Sequence, residues 1–551
     1  MSIVLGIHFG HDAAASVVID GKVISNISSE RMYQSKKTDF LSVQLLQKSL
    51  DEAGISINDV DAVVATNYMP SNENDHNSPL VIYNFDQVVS RIHGLSSINS
   101  PFSVFSGRVL DRKMPIYLLD HHMAHAASTY YLSNFDKSLV LTLDACSPNT
   151  PELNGVVCIG DRNKLEAIYY PGNMVAQGYN LFTANLQLGL PLFKAGSTMG
   201  LASYGTPHQE VIDNIDRYID ICFSEGDAQN AFAEVWYQLS DGLPQVFKYD
   251  INNPAVFENF NGKTKLYETK AGRDLAASIQ YIFEKSVLKS VTELANKYPN
   301  SNLCLAGGSF LSCNTNSLIK ETNFFNDIFV VPAAGDDGLA VGSALYVEHN
   351  IYGNPRKSHS VAEISYLGEK PNNNIPVDYE TISRMIADGK IIAWYYGGSE
   401  FGPRALGHRS IIADPRNFHN REVINFMVKN REWFRPLAPS VLEEEAANWF
   451  YPGDPSPYML FTQKVLKPEL VPAVVHIDGT ARIQTVNEND HGPYYRLIKE
   501  FYKLTGIPMV LNTSLNGNGK PVVETETDAM QMFHNSPEID VLVVNGNIYT
   551  K

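Results

Sequence analysis

The chain has 551 residues, of which 44% are hydrophobic and 19% are charged. This length exceeds what one hydrophobic core supports and predicts two or three domains, while the composition excludes a disordered or fibrous protein. The formal net charge of −17 at pH 7 argues against broad nucleic-acid binding, which needs a basic surface to displace counterions. We therefore expect a globular protein without a nucleic-acid partner.

The start of the chain lacks the basic stretch of a signal peptide, and no window reaches the roughly 18 apolar residues that would cross a bilayer. We therefore expect a cytoplasmic protein with no membrane partner. The cysteines are five, scattered and without a C-x-x-C pair, which predicts reduced thiols. They are Cys146, Cys158, Cys222, Cys304 and Cys313.

The first elements are predicted from β-rich runs. Residues 3–8 and 13–19 flank a Gly-His-Asp turn, and residues 21–31 supply a third strand, so the chain opens as a β-meander. Residues 42–53 are predicted to form a helix. The runs "VDAVVATNY" and "PIYLLDHH" that follow are typical of buried strands.

The middle of the chain alternates strands with helices. "DHHMAHAASTYYLS" has helical spacing, and "SLVLTLDA" and "NGVVCIG" follow as strands in hairpin order. Residues 273–295 repeat apolar side chains near helical periodicity. "LCLAGG" and "IFVVPAAGDDG" then each combine an apolar strand with a glycine turn. The pattern predicts an α/β fold.

A polar, proline-containing stretch at about 351–378 is the best candidate for a domain boundary. We divide the chain into a first domain at 1–355, a linker at 356–378 and a second domain at 379–551, which is long enough to fold as a unit. No short-period repeat or low-complexity tract is visible.

Histidines crowd the stretch "DHHMAHAAS". His121 and His125 are four residues apart and share a helix face, so both can reach one ion, whereas His122 points elsewhere. Asp144 and Asp336, each at the end of an apolar run, are the natural carboxylate ligands. Two alternatives stay open, that Asp337 is the ligand and that neither aspartate is. Two histidines and two carboxylates suit iron, manganese or zinc. On spacing alone, local helix capping is an equally good interpretation of the histidines.

Two further patterns indicate anion binding. Glycine turns such as "LAGGSF", "KAGSTMG" and "AAGDDG" can expose backbone N–H groups to an anion, although each is more often a plain turn. The last third concentrates cations beside glycines, prolines and apolar runs, which predicts an oxyanion pocket. The alternative is that single arginines pair with Asp414, Glu400 or Glu432. The cations are Arg404, Arg409, Arg416, Lys429, Arg431, Arg435 and Arg482.

The motifs together resemble the O-carbamoyltransferases that modify antibiotics, toxins and nodulation factors. They occur in the family's order from about residue 4 to the C-terminus: "GHDAAAS", "DHHMAHAAS", "MGLASYG", "PAAGDDG", "FGPRALGHRSIIADPR", "REWFRPLAPSVL", "HIDGTARIQTV" and "LNTSLN". The resemblance implies a Kae1-like first domain of the actin/Hsp70 type, built from two ribonuclease-H-like halves, and a YrdC-like second domain. It also leaves a homodimer open.

The implied activity has two steps. The YrdC-like domain would convert carbamoyl phosphate and ATP, with Mg, into carbamoyladenylate and pyrophosphate. The Kae1-like domain would then pass the carbamoyl group to a hydroxylated small-molecule acceptor at a divalent metal, for which the family favours iron, with manganese or zinc as alternatives.

The resemblance assigns residues position by position. It implies catalytic roles for His11 and Asp12, and it assigns the metal to His121, His125, Asp144 and Asp336. Carbamoyl phosphate and ATP would contact Arg404, Lys429, Arg435, Arg482, Ser514 and Asn516, and nucleotide binding in the Kae1-like domain would use Gly307, Gly308, Asn316 and Gly335.

Three positions depart from the family pattern, all in the first domain. Ser197 replaces the usual lysine before "TMGLA", "DACSPNTPE" replaces a glycine-rich run after Asp144, and Ser312 replaces an asparagine. The sequence does not identify the acceptor, although the stretch 67–85 and the segment 206–262 are expected near the cleft. Two alternatives are a threonylcarbamoyl-type transferase acting on tRNA and a nucleotide-binding pseudoenzyme. The acidic charge and the fused second domain argue against the first, and the complete set of proposed metal ligands argues against the second.

Overall fold

A computed structural model of the chain describes residues 1–68, 78–83, 85–92, 95, 98–144, 154–171, 175–176, 179–180, 183, 191–213, 216, 266–371 and 375–551. Among these residues the strands form four sheets with helices between and around them, so the predicted α/β class is confirmed. Most of the stretches 67–85 and 206–262, and all of 145–153, lie outside the described residues. No helix in the described part of the chain is both long and apolar enough to cross a membrane.

The first sheet has the strand order β3-β2-β1-β4-β7-β6-β5. Its strands are β1 Ile3–His8, β2 Ala14–Ile19, β3 Lys22–Ser28, β4 Ala62–Thr66, β5 Leu80–Ile82, β6 Phe102–Val109 and β7 Arg112–Leu119. Strands β1 to β3 form the predicted antiparallel meander, whereas β4 and β7 run parallel to β1. The carboxyl ends of β1, β4 and β7 therefore meet at one edge of the sheet.

The second sheet has the order β10-β9-β8-β11-β12. Its strands are β8 Lys137–Thr142, β9 Val157–Asp161, β10 Lys164–Tyr169, β11 Leu303–Ala306 and β12 Ile328–Val330. Strands β8 to β10 are antiparallel, and β11 and β12 continue parallel to β8. This is the pattern of β3-β2-β1-β4-β7, so the first part of the chain contains the same five-stranded arrangement twice.

Helices fill the space between and around these two sheets. They are Ser29–Met32, Val43–Glu52, Phe85–Ile92, His121–Leu132, Pro191–Ala202, Gln209–Asp213, Lys270–Lys297, Cys313–Glu321 and Leu339–Leu345. The helices predicted at 42–53 and 273–295 are thereby confirmed. Helices His121–Leu132 and Leu339–Leu345 pack so closely that a Cβ on Gly342 would lie 2.0 Å from the carbonyl oxygen of Ala124. This close approach brings the two sheets together at a shared cleft.

The rest of the chain builds a third sheet with the order β19-β15-β20-β14-β13-β21-β22 and a small sheet β16-β17-β18. The strands are β13 Ile392–Tyr395, β14 Arg409–Ala413, β15 Ala438–Leu442, β16 Phe450–Tyr451, β17 Thr462–Val465, β18 Thr480–Arg482, β19 Gln484–Val486, β20 Met509–Ser514, β21 Val541–Val544 and β22 Asn547–Thr550. The helices are Val361–Ser365, Tyr379–Ala387, Phe418–Glu422, Ala446–Trp449, Glu488–Thr505 and Glu526–Asn535. A separate apolar core around Trp394 and Phe501 holds this part together.

The two parts of the chain are tied by side chains that donate to distant carbonyl oxygens. Arg31 donates to the carbonyl oxygens of Glu400 and Gly402, both at 2.6 Å. Within the predicted linker, Arg356 donates to the carbonyl oxygens of Phe135 at 2.6 Å and Tyr130 at 2.7 Å. The start of the linker is therefore anchored on the first part of the chain.

Candidate active site

The four residues selected from the metal pattern converge in the structure. One ligand atom from each of His121, His125, Asp144 and Asp336 lies within 4.8 Å of the others. The Nε2 atom of His125 is 2.8 Å from Asp144 Oδ2 and 3.3 Å from Asp336 Oδ1, and the Nε2 atom of His121 is 3.7 Å from the same Asp336 oxygen. We call these four residues the His/Asp cluster.

The fold explains why these residues meet. The helix that begins at His121 is capped by Asp120, whose carboxylate accepts from the backbone N–H of Met123 at 3.0 Å, and it presents positions 121 and 125 on one face. Asp144 and Asp336 follow β8 and β12, which flank β11 in a parallel arrangement. Side chains at the carboxyl ends of parallel strands line the same edge, which is where such sheets bind ligands.

Opposite charges stabilise the His/Asp cluster. Burial opposes the charge of His125, but contacts with Asp144 and Asp336 outweigh it and raise the pKa of His125 to about 9. Burial likewise opposes ionisation of the two carboxyl groups, yet the neighbouring histidines hold both pKa values well below the ordinary range. The cluster therefore favours ionised carboxylates.

The donor set fits a divalent transition metal. Among the described residues, the buried Nε2 atom of His125 has no well-oriented hydrogen bond, although it faces two carboxylates. The amide of Asn67 lies 3.1 Å from Nδ1 of His121, and its Oδ1 atom is buried without a described partner. Because an amide can present either atom, Oδ1 can accept from Nδ1–H and leave Nε2 of His121 bare for a metal. Neutral imidazole and carboxylate are suitable ligands for iron, manganese or zinc.

His11 and Asp12, to which the resemblance assigns catalytic roles, lie beside the His/Asp cluster. The Nδ1 atom of His11 is 3.2 Å from Asp12 Oδ2, and its Nε2 atom is 3.5 Å from Asp336 Oδ2. The hydrogen bond to Asp12 outweighs burial and raises the pKa of His11. Lys37, which the sequence analysis missed, donates to Asp12 and leaves that carboxylate ionised. His11 is 41% exposed, so its ring is accessible to an acceptor molecule.

His8 is a second residue that the sequence analysis missed. Its ring is buried between Thr66 Oγ1 at 3.0 Å and the carbonyl oxygen of His11 at 3.3 Å. Burial, only partly opposed by Asp336, lowers the pKa of His8 to about 4. A neutral His8 thus supports the turn that carries His11, and its position at the carboxyl end of β1 was the available signal.

The positions assigned to nucleotide binding fall into two groups. Gly307 and Gly308 follow β11 beside Asp144, and a Cβ on Gly308 would lie 3.1 Å from the Oδ1 atom of Asp144. Gly335 precedes Asp336, so these three glycines line the cleft. Asn316 is fully buried, and its amide nitrogen donates to the carbonyl oxygens of Phe310 at 2.8 Å and Leu460 at 3.0 Å. The structure uses this amide nitrogen to hold two loops together.

A second cluster lies in the other part of the chain, and we call it the cation cluster. Each member either lowers the pKa of another member through its positive charge or has its own pKa lowered by the charge of another member. The members are Arg404, Lys429, Arg431, Arg435 and Arg482. Burial is the largest cause, and it lowers the pKa values of Arg404 and Arg431 to about 9 and that of Lys429 well below its usual range. Lys429 is buried and the four arginines are half-buried, so this concentration of positive charge favours an anionic ligand.

Ser514 and Asn516 join the cation cluster through Lys429. The Lys429 ammonium donates to the carbonyl oxygen and hydroxyl of Ser514 and to Oδ1 of Asn516, and the Ser514 hydroxyl donates to the same Oδ1 atom at 2.6 Å. These neutral oxygens solvate the ammonium without cancelling its charge.

Two arginines from the same sequence runs do not belong to this cluster. Arg409 is fully buried, stacks 3.7 Å above the ring of Tyr395 and donates to backbone carbonyl oxygens. Arg416 pairs with Asp414, with Nη2 2.6 Å from Oδ2. The oxyanion interpretation is therefore wrong for these two, and the salt-bridge alternative holds for Arg416.

The two serines that depart from the family pattern have distinct partners. Ser312 Oγ lies 2.9 Å from Thr315 Oγ1, inside the first turn of its own helix. Ser197 instead accepts a hydrogen bond from Arg435 of the cation cluster, 238 residues away. Asp337, considered as an alternative metal ligand, faces a neighbouring cavity, and burial followed by the charge of Asp12 raises its pKa to about 7.

Comparison with known proteins identifies the family. The family described as Carbamoyltransferase N-terminus matches residues 3–345, and Carbamoyltransferase C-terminus matches residues 383–551. Nodulation protein NolNO of Sinorhizobium fredii is 32% identical over 98% of this chain and 79% of its own length. Nodulation protein NolO of Bradyrhizobium diazoefficiens is 34% identical over 79% of each chain. The protein belongs to the carbamoyltransferase family, which confirms the resemblance found in the motifs.

Membership makes the protein a carbamoyltransferase enzyme and implies a carbamoyl donor and a small-molecule acceptor. Among solved structures, (R)-2-hydroxyglutaryl-CoA dehydratase component A of Acidaminococcus fermentans aligns over 63% of this chain and 98% of its own. At 14% identity and a TM-score of 0.33, that likeness supports no argument about mechanism.

Proposed function

We propose that the protein is an ATP-dependent O-carbamoyltransferase that uses its two clusters in sequence. At the cation cluster, carbamoyl phosphate loses its phosphate to water, and the resulting carbamate attacks the α-phosphate of ATP. The products are carbamoyladenylate, pyrophosphate and inorganic phosphate. At the His/Asp cluster, the carbamoyl group then passes to a hydroxyl of the acceptor and AMP leaves. The convergence of one buried lysine with four half-buried arginines carries this proposal.

Electrostatics supports the first step. Carbamoyl phosphate and ATP, which we expect to bind with Mg, are both polyanions, so their encounter needs concentrated positive charge. Glu432 is the carboxylate that most offsets the charge of Arg435, but it also pairs with Lys194 at 2.6 Å. The guanidinium groups of Arg404, Arg435 and Arg482 can therefore direct their donors to phosphate oxygens in bidentate geometry.

The second step relies on His11. Its hydrogen bond to Asp12 holds the ring in place, and its exposed edge can take the proton of the acceptor hydroxyl. Lys37 compensates the charge of the ionised Asp12 carboxylate, and Asp12 in turn orients the base. His121, His125, Asp144 and Asp336 would hold a divalent metal, iron first by family likeness, which would supply positive charge to the phosphate of the departing AMP.

A cavity of about 180 Å³ is lined by residues next to both clusters, and we propose that the adenylate passes through it. Its lining includes Asp12 and Gly335, which neighbour His11 and Asp336, and Pro403, which precedes Arg404. Carbamoyladenylate is a mixed anhydride that water destroys, and an enclosed passage would limit its hydrolysis.

The topology supports the finer assignment of the fold. The repeated five-stranded pattern of the first two sheets is what a duplicated ribonuclease-H-like domain of the Kae1 type requires. The third sheet and the small sheet, with Arg482 at the end of β18 and Lys429 donating to Ser514 at the end of β20, fit a YrdC-like unit. We therefore propose domains at 1–355 and 379–551, with the segment 356–378 between them.

The first test measures pyrophosphate released from ATP by the purified protein, with and without carbamoyl phosphate. We expect release that depends on carbamoyl phosphate and that Arg435→Ala lowers at least about a hundredfold. Arg416→Ala is the matched control, because Arg416 pairs with Asp414 outside the cluster. Release independent of carbamoyl phosphate would refute the adenylation step and favour the pseudoenzyme.

A further inference from the structure

We infer that Ser197 is a positioning residue for Arg435, so that the first part of the chain completes the binding site for carbamoyl phosphate in the second. The inference rests on the proposed function for the identity of the anion. Its structural basis is the hydrogen bond from Nη1 of Arg435 to Oγ of Ser197.

Helix Pro191–Ala202 lies along the segment 432–436 of the other part of the chain. Lys194 pairs with Glu432 at 2.6 Å, Ser197 accepts from Arg435, and a Cβ on Gly200 would lie 3.4 Å from Cδ of Pro436. Positions 194, 197 and 200 are three residues apart and so follow one another along one helix face. Ser197 is fully buried in this contact.

The chemistry of the contact preserves the charge of Arg435. A serine hydroxyl is a neutral acceptor, so it fixes the orientation of the guanidinium group without cancelling its charge. Lys194 meanwhile binds the carboxylate of Glu432, which would otherwise compete with an anion for Arg435. The lysine that the family usually has at this position carries donors only and could not accept from an arginine.

The test compares Ser197→Ala with Ser197→Thr, which keeps the hydroxyl. Thr198→Val is the matched control, because it removes a buried hydroxyl one position along the same helix, where Thr198 contacts Thr183 at 2.9 Å. We expect Ser197→Ala to raise the KM for carbamoyl phosphate in pyrophosphate release about fivefold with kcat changed less than about twofold, and Ser197→Thr to restore the KM.

A second measurement separates this inference from the proposed function. Titration calorimetry measures the binding of inorganic phosphate to the full-length protein. We expect Ser197→Ala to weaken phosphate binding about fivefold, even in an assay that needs no turnover. If Ser197→Ala keeps the KM and the phosphate affinity of the wild type, the inference is overturned and the proposed function is unaffected. Equal losses in Ser197→Ala and Thr198→Val would show a general helix defect and also overturn it. If the wild type releases no pyrophosphate but Ser197→Ala still binds phosphate more weakly than wild type, the proposed function alone is overturned.

Discussion

The His/Asp cluster is largely buried and the cation cluster largely half-buried, yet their charges are balanced in opposite ways. In the first, carboxylates and histidines stabilise one another, so that the pKa of His125 is raised to about 9. In the second, cations crowd together, and burial lowers the pKa of Arg404 to about 9. The first cluster is electrostatically stable by itself, whereas the second needs an anion to compensate its charge. The proposed function accordingly assigns a resident metal to the first cluster and a transient anion to the second.

The largest expected effect tests the first half of this comparison. We expect His125→Ala to lower the affinity for the resident divalent metal at least about a hundredfold, because even loss of an outer-shell partner costs up to about that much. Metal content of the purified protein and the metal affinity of its chelator-treated form measure the loss. The control is His122→Gln, one position along the same helix and outside the cluster. Equal metal content in His125→Ala and wild type would refute the site.

The second prediction tests whether the two clusters act separately. Lys429→Met removes a buried ammonium from the cation cluster, and we expect kcat/KM for pyrophosphate release to fall about a hundredfold while metal content is unchanged. Lys499→Met, which removes a surface partner of Glu444, is the control. Metal loss in Lys429→Met would show that the clusters are not independent.

Acid sensitivity extends the comparison to other histidines. Burial, only partly opposed by Glu400, lowers the pKa of His408 to about 4, and its ring stacks on Tyr366 with centroids 3.5 Å apart. Since the unfolded chain binds this proton near pH 6.5, stability is full above that pH and is lost as the pH falls towards about 4.

We therefore expect His408→Phe to reduce the acid-induced loss of unfolding free energy over that window by about 2 kcal/mol relative to wild type. Urea unfolding at several pH values measures the slope, and exposed His419→Phe is the control. An unchanged slope in His408→Phe would contradict the prediction.

The smallest effect concerns stability without ligand. Because the Lys429 ammonium is buried among other cations, Lys429→Met is expected to raise the free energy of unfolding by about 1 kcal/mol, although it destroys activity. Added phosphate is expected to stabilise wild type more than the variant. Urea unfolding with and without phosphate measures both, and a less stable variant would mean that its neighbours already compensate the charge.

Local signals in the sequence predicted much of the first part of the fold. Alternating and apolar runs predicted the meander β1 to β3, and the spacing of His121 and His125 selected the residues that meet Asp144 and Asp336. The repeated strand pattern left no visible repeat, because topology depends on apolar patterning rather than on residue identity. The nearby Asp414 could have indicated from the sequence that Arg416 forms a salt bridge and, unlike Arg435, does not belong to the cation cluster.

Contacts between distant segments could not be predicted. Arg31 donates to the carbonyl oxygens of Glu400 and Gly402, and a backbone acceptor has no signature in the sequence. The hydroxyl of Ser197 gave no sign that it would meet Arg435, since only folding brings residues 238 positions apart together. The sequence shows that Ser197 departs from the family pattern, and the structure identifies its hydrogen-bond partner.

The way Asn316 joins two loops has a consequence for engineered chimeras. Its amide donates both to Phe310 in its own part of the chain and to Leu460 in the other, close to where Ser317 accepts and donates hydrogen bonds with Thr462. An exchange of the C-terminal part with that of a relative would therefore have to preserve the backbone course near Leu460 as well as the catalytic residues. Otherwise one N–H of the buried Asn316 amide would lose its acceptor, which costs about 1–3 kcal/mol.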